Sequence, residues 1–316
     1  MRAIVVNQNG GPEVLELTDV PQPTPGVGEV LVKVEAAAVN PFDAQVRRGD
    51  YAAYMPTPHK LGVDVSGTVV AIGEGVDTLA VGDDVFYSTR VLSNEGGYAE
   101  YHVEQAQLIA KKPKDLSFVD AAALPIAAST AWVCLIERGR LQAGDRVLIH
   151  GASGGVGLFA VQIGRLTGAE VVATSRADVQ DLVQSLGADT TINYRDPNAW
   201  DQLATHSNGG YDVIIDLAGG DTIQKSLGLL APGGRVVSIV DQPNPQSLYD
   251  GWGFNAEIHL VFLTPSADRL AKLASLTARG LLKPVVEQTL PLEKAAEAHR
   301  LIEAGGRTGK IVLVTS

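Results

Sequence analysis

Cysteine is nearly absent: Cys134 is the only one in 316 residues. That excludes an internal disulfide and a cysteine-rich structural zinc site. Its place in an apolar helical stretch makes it a buried, unreactive thiol. Basic charge is scarce too, 25 Lys and Arg against 36 Asp and Glu for a net charge of -11, which argues against a nucleic-acid surface. No apolar run reaches membrane-spanning length, and the opening MRAIVVNQNG turns polar too early for a signal peptide, so a cytoplasmic protein is expected. The six histidines, His59, His102, His150, His206, His259 and His299, are scattered without metal-ligand spacing. Ser153 sits in GASGG rather than in a G-x-S-x-G elbow, which removes a serine hydrolase.

What remains is a globular composition, 45% apolar and 19% charged, in a chain long enough for two domains. Its organising stretch is Arg146 to Gly157, RVLIHGASGGVG. The apolar run Val147, Leu148 and Ile149 enters a glycine-rich turn, after which Val156, Phe159, Ala160 and Ile163 recur with helical spacing. A strand, a tight turn and a helix are the context a dinucleotide fingerprint needs. The spacing is A-x-G-x-x-G. Ala152 is expected to make the tight turn, Gly154 to let backbone approach a pyrophosphate, and Gly157 to let helix pack on strand. Ala152, Ser153, Gly154, Gly155, Val156 and Gly157 thus form the expected phosphate site at a helix N-terminus.

The first 110 residues read as short strands: Ala3 to Val6, Val14 to Leu17, Val30 to Ala38, Gly67 to Ile72, Asp84 to Ser88 and Ala99 to His102. Glycine and proline turns separate them, as in an antiparallel barrel or sandwich. Ser117 is a plausible cap for an alanine-rich helix, and Thr130 to Glu137 reads as helical after Pro125. Strands and helices then alternate, with strands at Arg146 to His150, Val171 to Thr174, Thr191 to Tyr194, Val213 to Leu217 and Arg235 to Val240. Alternation at that spacing implies a doubly wound parallel sheet, an α/β fold. Asp241 to Gly253 reads as a polar loop, and Ile258 to Leu263 as a last strand whose exposed edge invites pairing into a homodimer. Helices at Ala267 to Arg279 and Leu292 to Glu303 and a strand at Lys310 to Val314 complete the chain. The expected domains are residues 1–122, β-rich; 123–265, dinucleotide-binding; and 266–316, returning to the first.

Seven stretches in order, among them AAAVNPFDAQVRRGDY, GVDVSGTVVAIGEGV, GGYAEY, LPIAASTAW, HGASGGVG and RTGKIVLV, together resemble the medium-chain dehydrogenase/reductases over essentially the whole length, in their zinc-free quinone oxidoreductase branch. The resemblance implies a Rossmann sheet with a GroES-like barrel domain. Zinc enzymes of this fold carry a cysteine at the Asn40 position, a His-Glu pair at Val63 and Asp64, and a cysteine near Ile126. Asn40, Val63 and Ile126 supply no adequate zinc donor set, so no metal is expected. Hydride delivery to an already electrophilic acceptor then fits better than alcohol oxidation.

An NAD enzyme of this kind ends its second strand with an acid that binds the ribose 2′-hydroxyl. Here the strand ends in Ser175 and Arg176, a hydroxyl and a cation suited to a 2′-phosphate. NADPH is therefore the expected cofactor, with Asp178 read as a helix N-cap. The resemblance adds Tyr194 beside the adenosine phosphate, with Arg195 nearby. It also adds Thr130, alongside Ser129, as a hydroxyl contact, and Ala218, Ile239, Leu263 and Lys310 as further cofactor contacts. For the reacting end it implies Asn40, and Tyr51 as a phenol able to bind the acceptor oxygen or relay a proton. Gln45 stands where relatives carry a second tyrosine, and Asp43 and Asp64 resemble loop-fixing positions. A small-molecule quinone is the expected acceptor, an alkenal or enone the alternative. A non-catalytic nucleotide-binding protein and an alcohol dehydrogenase with atypical zinc ligands are readings of other kinds.

Overall fold

The computed structural model describes residues 1–240 and 243–315. The chain divides into two compact units, Met1–Ile126 with Thr264–Ser316, and Ala127–Leu263. In chain order the first unit supplies β1 (Arg2–Val6), β2 (Leu15–Asp19), β3 (Glu29–Val39), α1 (Pro41–Arg48), β4 (His59–Lys60), β5 (Asp64–Ile72), β6 (Asp84–Ser88), β7 (Tyr101–Gln105), β8 (Ala110–Lys111) and α2 (Phe118–Ala122). Ser117 caps α2, its hydroxyl accepting from the Asp120 N–H. Helix α3 (Pro125–Trp132) carries the chain into the second unit. There it becomes a π-helical turn over Val133–Arg138, so the helix expected from Thr130 starts earlier and changes winding midway.

The second unit alternates as its periodicity requires: β9 (Arg146–His150), α4 (Gly155–Thr167), β10 (Glu170–Ser175), α5 (Gln180–Ser185), β11 (Thr190–Asn193), α6 (Ala199–Ser207), β12 (Tyr211–Asp216), α7 (Thr222–Ser226), β13 (Leu230–Ser238), α8 (Pro245–Trp252) and β14 (Glu257–Leu260). The six strands lie in the order β11-β10-β9-β12-β13-β14, every neighbouring pair parallel. This is the doubly wound sheet expected from sequence. Central strands buried on both faces must be apolar throughout, and Val147, Leu148 and Ile149 of β9 are fully buried. Part of the segment expected as a loop is helical: α8 starts after Asn244, whose side chain accepts from the Ser247 N–H. Its polar, glycine-bearing sequence concealed it. Asp241 and Gln242 of that loop lie outside the described residues.

The chain then adds α9 (Ala267–Ala278), β15 (Val286–Pro291), α10 (Ala295–Glu303) and β16 (Lys310–Val314) to the first unit. β16 pairs antiparallel with β3 and parallel with β15. The resulting seven-stranded sheet, β15-β16-β3-β5-β6-β8 with β7 on β3, is therefore mixed rather than purely antiparallel. A separate three-stranded sheet is ordered β2-β1-β4. β15 escaped the sequence reading because it is a half-exposed edge strand ending in proline.

Candidate active site

In an open parallel sheet the ligand-binding edge is the carboxyl end, at the point where strand order reverses. Here that point lies between β9 and β12. The turn from Gly151 to Gly154 follows β9, Ser175 ends β10 with Arg176 behind it, Tyr194 follows β11, and Ala218, Ile239 and Leu263 come within three residues of the ends of β12, β13 and β14. The fold thus gathers onto one edge six positions spread over more than a hundred residues of chain.

The turn differs from expectation in one respect. Gly151, not Ala152, takes the left-handed conformation, with φ of +79°, a region only glycine enters without strain. Ala152 is fully buried and donates its N–H to the Thr174 carbonyl at 2.9 Å. Gly154 is the N-cap of α4, which has neither a side-chain cap nor an acidic residue in its first turn. The positive helix end is therefore left without a built-in counter-charge. A Cβ added to Gly154 would meet nothing closer than the Gly151 carbonyl oxygen at 3.7 Å, whereas one on Gly157 would overlap the Gly151 carbonyl and the Ala152 backbone. Gly154 keeps space open for a ligand, and Gly157 allows the helix to close on the turn. These features fit a dinucleotide pyrophosphate.

At the end of β10, Ser175 is fully buried and donates its hydroxyl to the Arg176 carbonyl. The cation of the pair is Arg176, whose Nε lies 3.0 Å and Nη2 3.2 Å from the two carboxylate oxygens of Asp178. Asp178 is thus no N-cap, since Arg176 holds that position before a 3₁₀ turn. The Arg176 hydrogen bond holds the exposed Asp178 carboxyl below its ordinary value. Tyr194 is half exposed, with the Arg195 guanidinium 5.6 Å from its ring centre. Ser129 and Thr130 are buried in the second turn of α3. Asp216 was not foreseen. Fully buried, it accepts from the Ala218 and Gly219 N–H groups at 3.1 and 3.0 Å and from the Ser238 hydroxyl at 2.9 Å, so it shapes the loop after β12.

In the first unit, Asn40 is the N-cap of α1 and only 3% exposed. Its side-chain nitrogen donates to Asp64 at 2.8 Å, and its side-chain oxygen accepts from the Lys310 ammonium at 2.5 Å. Lys310 also reaches Asp64 at 3.1 Å, and the other Asp64 oxygen takes the Ile126 N–H at 2.7 Å. Asn40 and Asp64 therefore meet on a buried ammonium, and the Ile126 N–H holds the far oxygen of Asp64. Asp43, fully buried, accepts from the Asn40 and Gly62 N–H groups and the Tyr98 hydroxyl. Burial pushes its carboxyl up to about 6, with nearby Asp64 acting in the same direction. Asp64 is raised as well, again chiefly by burial, against the pull of Lys310. Tyr51 is half-buried, its ring tilted against Phe42 at 5.1 Å between centres. Beside Phe42 a small gap, with room for no more than a water, is walled by Met55, Val63, Val91, Thr89 and Asp43. The Thr89 hydroxyl there is buried with no partner among the described residues. An orphaned hydroxyl is invisible to sequence patterns. Among the described residues no group of three His, Cys, Asp or Glu could hold a metal, and no helix is long and apolar enough to cross a membrane.

Comparison with known proteins matches residues 26–114 to the alcohol dehydrogenase GroES-like domain and residues 186–313 to the zinc-binding dehydrogenase family. Human quinone oxidoreductase is 36% identical over 326 residues, covering 99% of this chain and 98% of that one. The NADPH-dependent alkenal/one oxidoreductase of Arabidopsis thaliana chloroplasts is 35% identical, covering 99% of this chain and 79% of that one. Among solved structures, an NAD-dependent alcohol dehydrogenase superposes with a TM-score of 0.93 at 36% identity, covering 100% of both chains.

Proposed function

This chain belongs to the medium-chain dehydrogenase/reductase family of oxidoreductases, and from that premise we propose that it transfers a hydride from NADPH to a quinone. The observation that carries the reading is the convergence on one sheet edge of the open Gly154 turn, the uncapped α4 N-terminus and the Arg176 guanidinium. A bound nicotinamide cofactor supplies the hydride. The α4 N-terminus and the turn residues Ala152 to Gly157 bind the pyrophosphate. Arg176 takes the 2′-phosphate, exchanging part of its hold on Asp178 for a bidentate phosphate contact. Tyr194, Thr130, Ala218, Ile239 and Leu263 complete the cofactor contacts. Tyr51 binds the acceptor oxygen through its phenol and passes it a proton, or holds the water that does. Asn40, with both ends of its amide committed to Asp64 and Lys310, fixes the start of α1.

The name of the chloroplast relative favours a second acceptor, an α,β-unsaturated aldehyde or ketone, which the same hydride chemistry serves. Purified protein is to be assayed for nicotinamide oxidation with NADPH and NADH against quinones and enones. NADPH consumption with quinones is the expected result. Equal use of NADH overturns the role of Arg176, turnover of enones alone moves the acceptor, and nucleotide binding without oxidation by any acceptor leaves a nucleotide-binding protein without catalysis.

The partner at the β14 edge is a second copy of this chain. Leu260 is 54% and Phe262 56% exposed at that edge, and Tyr249 and Trp252 of α8 are 66% and 74% exposed, more apolar surface than one edge ordinarily leaves to water. A monomeric mass in solution would sink this assignment.

A further inference from the structure

The turn that receives the nucleotide is tied down from behind by groups the proposed mechanism does not use. Thr174, on β10 and 3% exposed, holds the first two peptides of the turn at once. Its hydroxyl oxygen accepts the Gly151 N–H at 3.3 Å, and its carbonyl accepts the Ala152 N–H at 2.9 Å. The same hydroxyl lies 3.4 Å from His150 Nδ1, and His150 Nε2 lies 3.0 Å from the Ser226 hydroxyl on α7. Both His150 and Ser226 are buried.

The Thr174 oxygen accepts from Gly151 and its proton is available to His150 Nδ1, an arrangement that places the ring proton on Nε2, toward Ser226. The ring is neutral, since burial lowers its proton affinity to about 4. Trp200 packs against it at 5.5 Å between ring centres, closing the site from the α6 side. A continuous chain thus runs from α7 through His150 and Thr174 to the one residue of the turn with positive φ.

We propose that His150 and Thr174 are positioning residues for nucleotide binding. They clamp Gly151 and Ala152 so that Gly154 and the N-terminus of α4 are held in the binding geometry before the nucleotide arrives. The inference rests on the proposed cofactor site. Without the clamp, the turn must be ordered at the expense of binding free energy, so affinity falls.

The test is the dissociation constant of NADPH, read by titration, together with steady-state kinetics. Thr174→Val removes the hydroxyl and both its hydrogen bonds, worth together about tenfold in affinity. The effect should fall on the KM for NADPH rather than on kcat or the KM for the acceptor, and Thr174→Ser should restore it. Ser226→Ala leaves the turn and β10 intact but releases the Nε2 end, with about threefold weaker binding expected. Unchanged NADPH affinity in Thr174→Val overturns the clamp, as does a loss that Thr174→Ser does not rescue. If Thr174→Val does not fold, unchanged affinity in Ser226→Ala overturns it. A wild-type protein that binds neither NADPH nor NADH overturns the cofactor site itself, and the clamp with it.

Discussion

The Lys310 ammonium reaches the side-chain oxygen of Asn40 at 2.5 Å across 270 residues of chain, with both residues buried. β16 brings the lysine beside the end of β3 through their antiparallel pairing, Ile311 opposite Val39. The contact depends on the final strand joining a sheet begun at residue 29.

Loss of this lysine should be costly. Lys310→Met would leave Asp64, 0% exposed, without its cation, and breaking a buried pair from one side costs about 3–5 kcal/mol. The expected result is a marked fall in denaturation midpoint. The double variant Lys310→Met with Asp64→Asn should recover part of that loss, because it removes the stranded charge as well as its partner. Equal stability of the single variant and the wild type would refute the reading.

Acid should destabilise the protein well above the ordinary carboxylate range. Burial lowers His102 to about 3, His150 to about 4 and His299 to about 3, from 6.5. The unfolded chain therefore binds more protons than the folded one between those values. Stability from these rings is complete above pH 6.5 and is lost as pH falls towards 3–4. Asp43 acts in the opposite sense: its carboxyl is raised from 3.8 to about 6, so its contribution is complete below pH 3.8 and lost as pH rises through 6. His59, lowered by burial as well, joins these rings against Asp43 and the raised Asp64 and Glu104, and stability should rise with pH from about 4 to 6.5. Denaturant titrations across that range check the slope, and His299→Gln should flatten it.

The two glycines of the turn should behave differently. Gly157→Ala would drive a Cβ into the Gly151 and Ala152 backbone, so the helix must shift and stability must fall. Gly154→Ala meets no protein atom inside 3.7 Å, so folding should persist while the methyl takes up space assigned to the pyrophosphate. Thermal denaturation and nucleotide titration of both variants separate the effects. Normal binding by Gly154→Ala would remove that residue from the site.

Much of this was legible because it follows from periodicity and backbone rules. The β9–turn–α4 unit could be read from an apolar run, glycines and an i, i+3, i+4, i+7 stripe. The parallel sheet followed from repeats of that unit. What could not be read is what depends on where individual side chains turn. Asp178 has the residue type and position of an N-cap, and only the side-chain geometry reveals its pairing with Arg176. Asp216 and the orphaned Thr89 hydroxyl carry no local pattern at all. Helix α8 was hidden because a polar, glycine-containing surface helix resembles a loop until its Asn244 cap is seen in place.

At the proposed NADPH site, the Arg176–Asp178 pair would set cofactor preference from both sides. The guanidinium side chain is 13% exposed and the carboxylate 67%, so a 2′-phosphate approaching Arg176 meets a fixed negative charge beside its partner. Arg176→Ala should raise the KM for NADPH about tenfold, the worth of one charge-assisted contact, and leave NADH nearly unaffected. Asp178→Asn removes the competing charge while keeping hydrogen-bonding atoms for Arg176, so the KM for NADPH should fall. That gain should shrink as salt is raised, because an exposed charge is screened over about 10 Å at 0.1 M ionic strength. Paired measurements with NADPH and NADH at low and high salt check both variants. Equal changes for the two nucleotides in Arg176→Ala would place the 2′-phosphate elsewhere.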